Sequence, residues 1–175
     1  MFGAVAQTDD DAWFEQLMRE HERPVLRTSL RLLGRLEDAQ DAAQEVFLKL
    51  YRNRGKFTAE SDIRPWLYRV TVNVCRDLAR KRRRPVAELD ENDAPVDELR
   101  EERIDLEQRR ALVAEALALL PAQEREAIVL REIEDLDTAE VAAILGSTPG
   151  TVRSQISKGR ARLQAIVTRL ARGKS

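Results

Sequence analysis

Thr138-Ala139-Glu140-Val141-Ala142-Ala143-Ile144-Leu145-Gly146, followed after a short turn by Val152-Arg153-Ser154-Gln155-Ile156-Ser157-Lys158, is the stretch on which the fold turns. Its spacing is that of a helix-turn-helix. Ala142 sits where two helices must cross closely, and Gly146 sits where the chain leaves the first helix in the left-handed region. Pro149 suits the first turn of the next helix, because its missing N–H had no partner there. Val152 and Ile156 then face the first helix, and Arg153, Ser154, Ser157 and Lys158 face outward, as in a helix presented to a major groove. From Gly146 to Ser175 the chain carries seven Lys or Arg and no Asp or Glu. The plainer alternative is a surface hairpin with a solvated basic face. The charge asymmetry and the spacing together favour nucleic acid.

Working outward, nearly every periodic segment reads as helix. Trp13, Phe14, Leu17, Met18, His21, Val25, Leu26, Leu30 and Leu33 recur at three- and four-residue steps between Asp10 and Leu33, with Asp9 to Asp11 expected as N-capping carboxylates and Gly34 closing the helix. A second helix opens at Asp38, runs to about Asn53, and turns Ala42, Val46, Phe47 and Leu50 inward. A loop from Gly55 to Arg64 leads to a third helix, from Pro65 to about Arg83, which buries Trp66, Leu67, Val70, Val74 and Leu78. Helical rhythm resumes around Ile104, breaks at Pro121 and continues to about Glu134. Between Val86 and Glu107 stand ten acidic residues against Arg100 and Arg103, with Pro95 among them. Such a stretch buries too little apolar surface to offset its ordering entropy and reads as a flexible acidic linker. The expected architecture is all-α: a helical domain over residues 10–84, a linker over 85–103 and a second helical domain over 104–172.

Composition narrows the function. Of 175 residues 35% are charged and 5% aromatic, yet the net charge is only −1, so the basic groups are segregated and do not coat the chain. Arg76 to Arg84 hold six of them against one acid. One His and one Cys exclude an intramolecular disulfide and a Cys-based zinc site, and no cofactor or metal is expected. His21 falls on a core side and Cys75 in an apolar stretch, so both read as packing residues. Catalysis would rest on carboxylates that lie on exposed faces or in the linker, which argues against an enzyme. No secretory signal and no apolar run of spanning length is seen, which points to a cytoplasmic protein without membrane contact of its own.

Two further runs carry information. On the second helix Asp38, Asp41 and Glu45 line one side with Gln44 beside them. This is either a solvated face or a docking face for a basic partner. The loop Thr58-Ala59-Glu60-Ser61-Asp62-Ile63-Arg64, bracketed by Phe57 and Trp66, feeds a helix ending in Arg80-Lys81-Arg82-Arg83-Arg84. Basic groups track phosphates, and a loop beside aromatics can pocket an unstacked base. Trp66 is assigned to packing and Asn73 to a contact outside the core.

These runs, with the acidic segment, Leu119-Leu120-Pro121-Ala122-Gln123-Glu124-Arg125-Glu126-Ala127 and Gly150-Thr151-Val152-Arg153-Ser154, resemble a bacterial sigma factor of the extracytoplasmic-function group, which keeps only sigma regions 2 and 4. The resemblance spans about residues 10 to 172. It implies a transcription initiation factor that binds core RNA polymerase and reads promoter DNA, held by an anti-sigma partner. Asp38, Asp41, Gln44 and Glu45 would lie on the helix that docks on the polymerase clamp. Thr58, Ala59, Glu60, Ser61, Asp62, Ile63 and Arg64, with Asn73, Arg76 and Arg80, would serve the minus-ten element. Thr151, Arg153, Ser154, Ser157 and Lys158 would read the minus-thirty-five element, with Arg160 and Arg162 on phosphate or solvent. Gln155, Ser157, Gly159 and Ile63 depart from residues common in the group, and Gly159 is expected to weaken its helix by about 1 kcal/mol. The alternative is a stand-alone helix-turn-helix regulator, which would leave the acidic face and the basic run without a task.

Overall fold

The computed structural model describes residues 3–58, 60–82 and 101–173, and side chains over 12–58, 60–82 and 108–172. Ala59, Arg83, Arg84 and most of the linker expected at 85–103 lie outside the described residues. Every regular element among those described is a helix: α1 (Gly3–Leu33), α2 (Leu36–Asn53), a 3₁₀ turn (Arg54–Lys56), α3 (Arg64–Arg82), α4 (Glu101–Ala118), α5 (Ala122–Ile128) continuing into a π-helical turn (Val129–Ile133), α6 (Thr138–Leu145) and α7 (Pro149–Gly173). The first three α-helices form one helical unit and the last four a second.

In the first unit α1, α2 and α3 pack against one another, each touching the other two. Ala42, Val46 and Leu50, at three- and four-residue steps on α2, are fully enclosed, and Ile63, Leu67, Val72 and Val74 close the core from the other side. Phe57 meets Trp66 edge-to-face at 5.2 Å, which seats the loop before α3. Thr71, mid-helix, satisfies its buried hydroxyl by donating to Leu67 O at 2.7 Å. Gly34 closes α1 as expected, at φ 78°, its N–H donating to Leu30 O at 2.8 Å.

Two expectations for α1 fail. The helix begins at Gly3, so Asp9 to Asp11 lie inside it and do not cap it. Ala4 and Ala6 are strong helix formers and nothing before Asp9 breaks the turn. Leu30, expected inward, is exposed, while Thr28 and Ser29 are enclosed at 1% and 0%. Thr28 donates to Glu134 of the second unit and Ser29 lies against Cys75 of α3, which periodicity within α1 could not show.

In the second unit Pro121 precedes α5, and the helical path runs on to Ile133, close to the expected end at Glu134. The π-helical turn Val129–Ile133 widens it, and the chain reverses through Asp135, a non-glycine residue at φ 56°. Ala127, Val129, Leu130, Val141 and Val152 are fully enclosed and hold α5, α6 and α7 together. Leu117 and Leu120 extend this core toward α1, so the buried apolar residues of both units make one continuous cluster.

Candidate functional site

The helix-turn-helix is built by local chemistry. Asp137 and Glu140 form a reciprocal capping box: Glu140 N donates to Asp137 Oδ1 at 2.8 Å and Asp137 N to Glu140 Oε2 at 2.8 Å. Gly146 ends α6 at φ 64°, and Ser147 N closes on Ala142 O at 2.9 Å. Thr148 accepts from Thr151 N at 3.2 Å and starts α7. Val152 and Ile156 are buried, and Ala142 lies beneath them in the α6–α7 crossing. Thr151, Arg153, Ser154, Ser157, Lys158 and Arg160 all lie exposed along one side of α7. Among the described residues Arg153 and Lys158 meet no carboxylate, whereas Arg160 donates to Glu132 at 2.7 Å. Gln155 turns to Gln123, 3.3 Å away.

Gly159 differs from its expectation. It is buried against α5, and a Cβ there would stand 2.9 Å from Ile128 Cγ1 and 3.4 Å from Glu124 O. Its helix-propensity cost is real, but the position admits α5 at a distance that a methyl group would prevent. Sequence reading weighed only propensity, because the neighbour comes from another helix.

On α2, Asp41 and Gln44 are exposed, and Glu45 is half-buried with Lys49 at 3.6 Å. Asp38 is not on this face. It is buried at 7% exposure and paired with Arg82 of α3, so it ties two helices together. What periodicity did not find is apolar. A groove of about 550 Å³ runs between α1 and α2, walled by Phe14, Met18, Phe47, Leu48 and Tyr51, with Asp41 and Gln44 on its rim. Leu48 and Tyr51 are 45% and 42% exposed, and they fall out of phase with the inward set of α2. That mismatch was the available signal. Tyr51 is held by Phe14 edge-on at 5.2 Å and by the Arg54 guanidinium 4.1 Å from its ring centre.

The loop before α3 is held by its own side chains. Thr58 N donates to Ser61 Oγ at 3.0 Å, and Arg64 clasps Asp62 with Nε–Oδ1 at 3.2 Å. The Arg64 hydrogen bonds keep the Asp62 carboxyl below its usual range, and the same pair raises Arg64. Thr58, Glu60 and Ser61 are exposed. Ile63 is not: at 4% exposure it anchors the loop in the core. Asn73 is exposed on α3. Arg80 pairs with Asp77, and Arg76 grips Glu126 of α5 through Nε at 2.9 Å and Nη2 at 2.7 Å. Of the expected minus-ten residues, Thr58, Glu60, Ser61, Asp62, Arg64, Asn73 and Arg80 are exposed, Ile63 is buried, Arg76 is engaged by the second unit, and Ala59 lies outside the described residues. Cys75 is buried and inert, its thiol pushed up to about 12 by burial.

Two family models match this chain: Sigma-70 region 2 over residues 17–85 and Sigma-70, region 4 over residues 110–163. Over 162 residues it is 34% identical to the ECF RNA polymerase sigma factor SigM of Mycobacterium tuberculosis, covering 91% of this chain and 80% of that one. The chain belongs to the ECF sigma factors. As such it is a transcription initiation factor. The RNA polymerase sigma-H factor of Pseudomonas aeruginosa is similar at 31% identity over 95% of this chain and 92% of its own length. The ECF RNA polymerase sigma-E factor of Escherichia coli is similar at 36% over 77% and 76%. Among solved structures, CnrH in complex with the cytosolic domain of CnrY superposes with a TM-score of 0.63 at 28% identity, covering 89% of this chain and 87% of that one. The fold is also that of RpoE from Bartonella quintana, with a TM-score of 0.68 at 24% identity over 89% and 96%. No helix of this sigma factor among the described residues is long and apolar enough to cross a membrane.

Proposed function

We propose that this sigma factor divides its work between residues 10–84 and 104–172, and that neither part performs catalysis. The first docks on core RNA polymerase by the α1–α2 groove. Leu48 and Tyr51 offer exposed apolar surface there, and Asp41, Gln44 and Glu45 orient a basic partner. The same unit takes the minus-ten element with Thr58, Glu60, Ser61, Asp62, Arg64, Asn73, Arg76 and Arg80, Ala59 belonging to the same loop. The second unit reads the minus-thirty-five element with Thr151, Arg153, Ser154, Ser157 and Lys158 in the major groove, and Arg160 on phosphate. The segment between them tethers the two. The protein acts in the cytoplasm, where the polymerase is.

The observation that carries this reading is the division of α7. Its apolar side is spent on α6, and its exposed side presents Arg153 and Lys158 without carboxylate partners among the described residues. An anti-sigma factor is the expected regulator; CnrH, at 28% identity, was solved in complex with the cytosolic domain of CnrY. The test is size-exclusion chromatography with bacterial core RNA polymerase, beside an Asp41→Arg/Glu45→Arg variant. Co-elution by the native chain that the variant loses is the expected result. Co-elution by both discards the α2 face. A defined homodimer that ignores polymerase turns the reading toward a stand-alone regulator.

A further inference from the structure

The inner side of α7 is a row of Val152, Ile156, Gly159, Leu163 and Ile166, at alternating four- and three-residue steps. At the middle of that row the side chain is missing. Gly159 lies on α5 where Glu124 and Ile128, one turn apart, bracket it: an added Cβ would stand 3.4 Å from Glu124 Cβ and 2.9 Å from Ile128 Cγ1. Packed helices fix their mutual setting by interlocking side chains, ridge into groove. A glycine lets the two helices come close but offers no knob, so it leaves sliding and tilting about the crossing unopposed.

Polar ties on either side of the crossing supply what the glycine omits. Four residues before it, Gln155 Nε2 donates to Gln123 Oε1 at 3.3 Å. Three residues after it, Arg162 Nε donates to Glu124 Oε1 at 3.2 Å and stands 3.0 Å from Oε2. The Glu124 side chain is 9% exposed, whereas Arg162 reaches it from the surface, 59% exposed. Glu124 Oε2 is buried and has no hydrogen bond of its own among the described residues. A buried carboxylate with one cation beside it disfavours any setting of α7 that would separate the two. This tie is directional, where the apolar row beneath it is not.

We propose that Glu124, Gly159 and Arg162 are positioning residues for the minus-thirty-five element, a role that rests on the reading of α7 given above. Together they fix the tilt and axial setting of α7, and so which base edges Arg153, Ser154, Ser157 and Lys158 reach. Arg153 stands six residues from the crossing, about 9 Å along the helix, so a tilt of about 10° there carries it roughly 1.5 Å. Neighbouring base pairs are only about 3.4 Å apart. Recognition groups work when they are held to about 0.5 Å by the residues behind them. Glu124 and Gly159, facing away from the groove, thereby help to select bases.

The whole chain is assembled with bacterial core RNA polymerase and offered a promoter library randomised across the minus-thirty-five element, and the bound DNA is sequenced. Glu124→Leu/Arg162→Met leaves the net charge at −1 and puts apolar groups of similar size in place of an ion pair, an exchange that is commonly neutral or stabilising. It is expected to keep the native thermal midpoint while base preferences shift at two or more positions by about fivefold or more, the lower edge of what one base contact discriminates. Arg162→Lys, which keeps the charge, is expected to keep the native preferences. Unchanged preferences in the apolar variant overturn the proposal. So does a loss uniform over all sequences, which would make Arg162 a phosphate contact. Should the apolar variant melt at a lower temperature, Glu124→Gln, which keeps the side-chain shape and removes the charge, carries the same expectation and the same overturning result. Failure of the minus-thirty-five reading is distinct: Arg153→Ala would then leave the preferences untouched as well.

Discussion

A methyl group at position 159 would sit 2.9 Å from Ile128 Cγ1, inside the closest approach that packed carbons show. Two effects oppose each other there. Replacing Gly by Ala gains about 1 kcal/mol of helix propensity, and overpacking a well-filled contact costs about 1–3 kcal/mol. The crowding comes from Ile128 Cγ1, an inner atom of a side chain only 3% exposed and so with little room to turn aside, and crowding wins. Gly159→Ala is expected to lower the denaturant midpoint; a higher midpoint would show that α5 yields. Cys75 supplies a pH signature. Its thiol is raised from 9.0 to about 12, chiefly by burial, so the folded chain holds the proton more tightly than the unfolded one. Stability from this group is complete below pH 9 and is lost as pH rises toward 12. Tyr68, raised from 10.0 to about 12 by burial and by Glu134, acts in the same sense over a higher window. Urea unfolding at about pH 8 and about pH 10 should show a fall that is smaller in Cys75→Ala. An equal fall in both would assign the alkaline loss elsewhere.

At the scale of the element, α6 and α7 stand or fall on their ends. Asp137→Ala removes one half of the capping box and is expected to cost about 1 kcal/mol, with Asp137→Asn costing less. Equal stability for all three would mean that tertiary packing alone holds α6. Along α7, Arg153→Ala should cost about 1–3 kcal/mol at one or two base pairs of the promoter if it reads a base edge. A uniform loss across all promoter sequences would instead make Arg153 a phosphate contact. Helices such as α3 and α7 were legible from the chain because their punctuation is local: Pro65 and Pro149 at the starts, Gly146 between, apolar residues at helical steps. The helix-turn-helix face was legible for the same reason. The start of α1, the π-helical turn and the burial of Thr28, Ser29 and Asp38 were not. Each depends on a neighbour from another element, and Glu134 lies 106 residues from Thr28. Arg76 stands out in the sequence by its charge run, but its engagement with Glu126 has no signature in any window of sequence.

At the scale of the whole molecule, a net charge of −1 hides two basic surfaces and the acids that answer them. Part of that balance is local, as in Asp62–Arg64 and Glu132–Arg160. The other part crosses between units, as in Glu126–Arg76 and Glu134–Arg31. Apolar contact crosses too: Leu117 and Leu120 join the cluster that includes Leu32 of α1. Neither unit therefore has a closed core of its own while the two are in contact, and they are expected to share a cooperative transition. The edge-on packing of Trp66 against Phe57 makes that expectation observable with unusual economy. The only other indole, Trp13, is on α1 of the same unit, so the intrinsic emission of this protein comes entirely from its first half, while ellipticity sums over both. Native chain should show emission and ellipticity melting at one temperature. In the Glu126→Gln/Glu134→Gln chain the two curves should part, the optically silent half melting unseen by its tryptophan-bearing neighbour. Coincident curves in both proteins would mean that the apolar contact suffices to couple them.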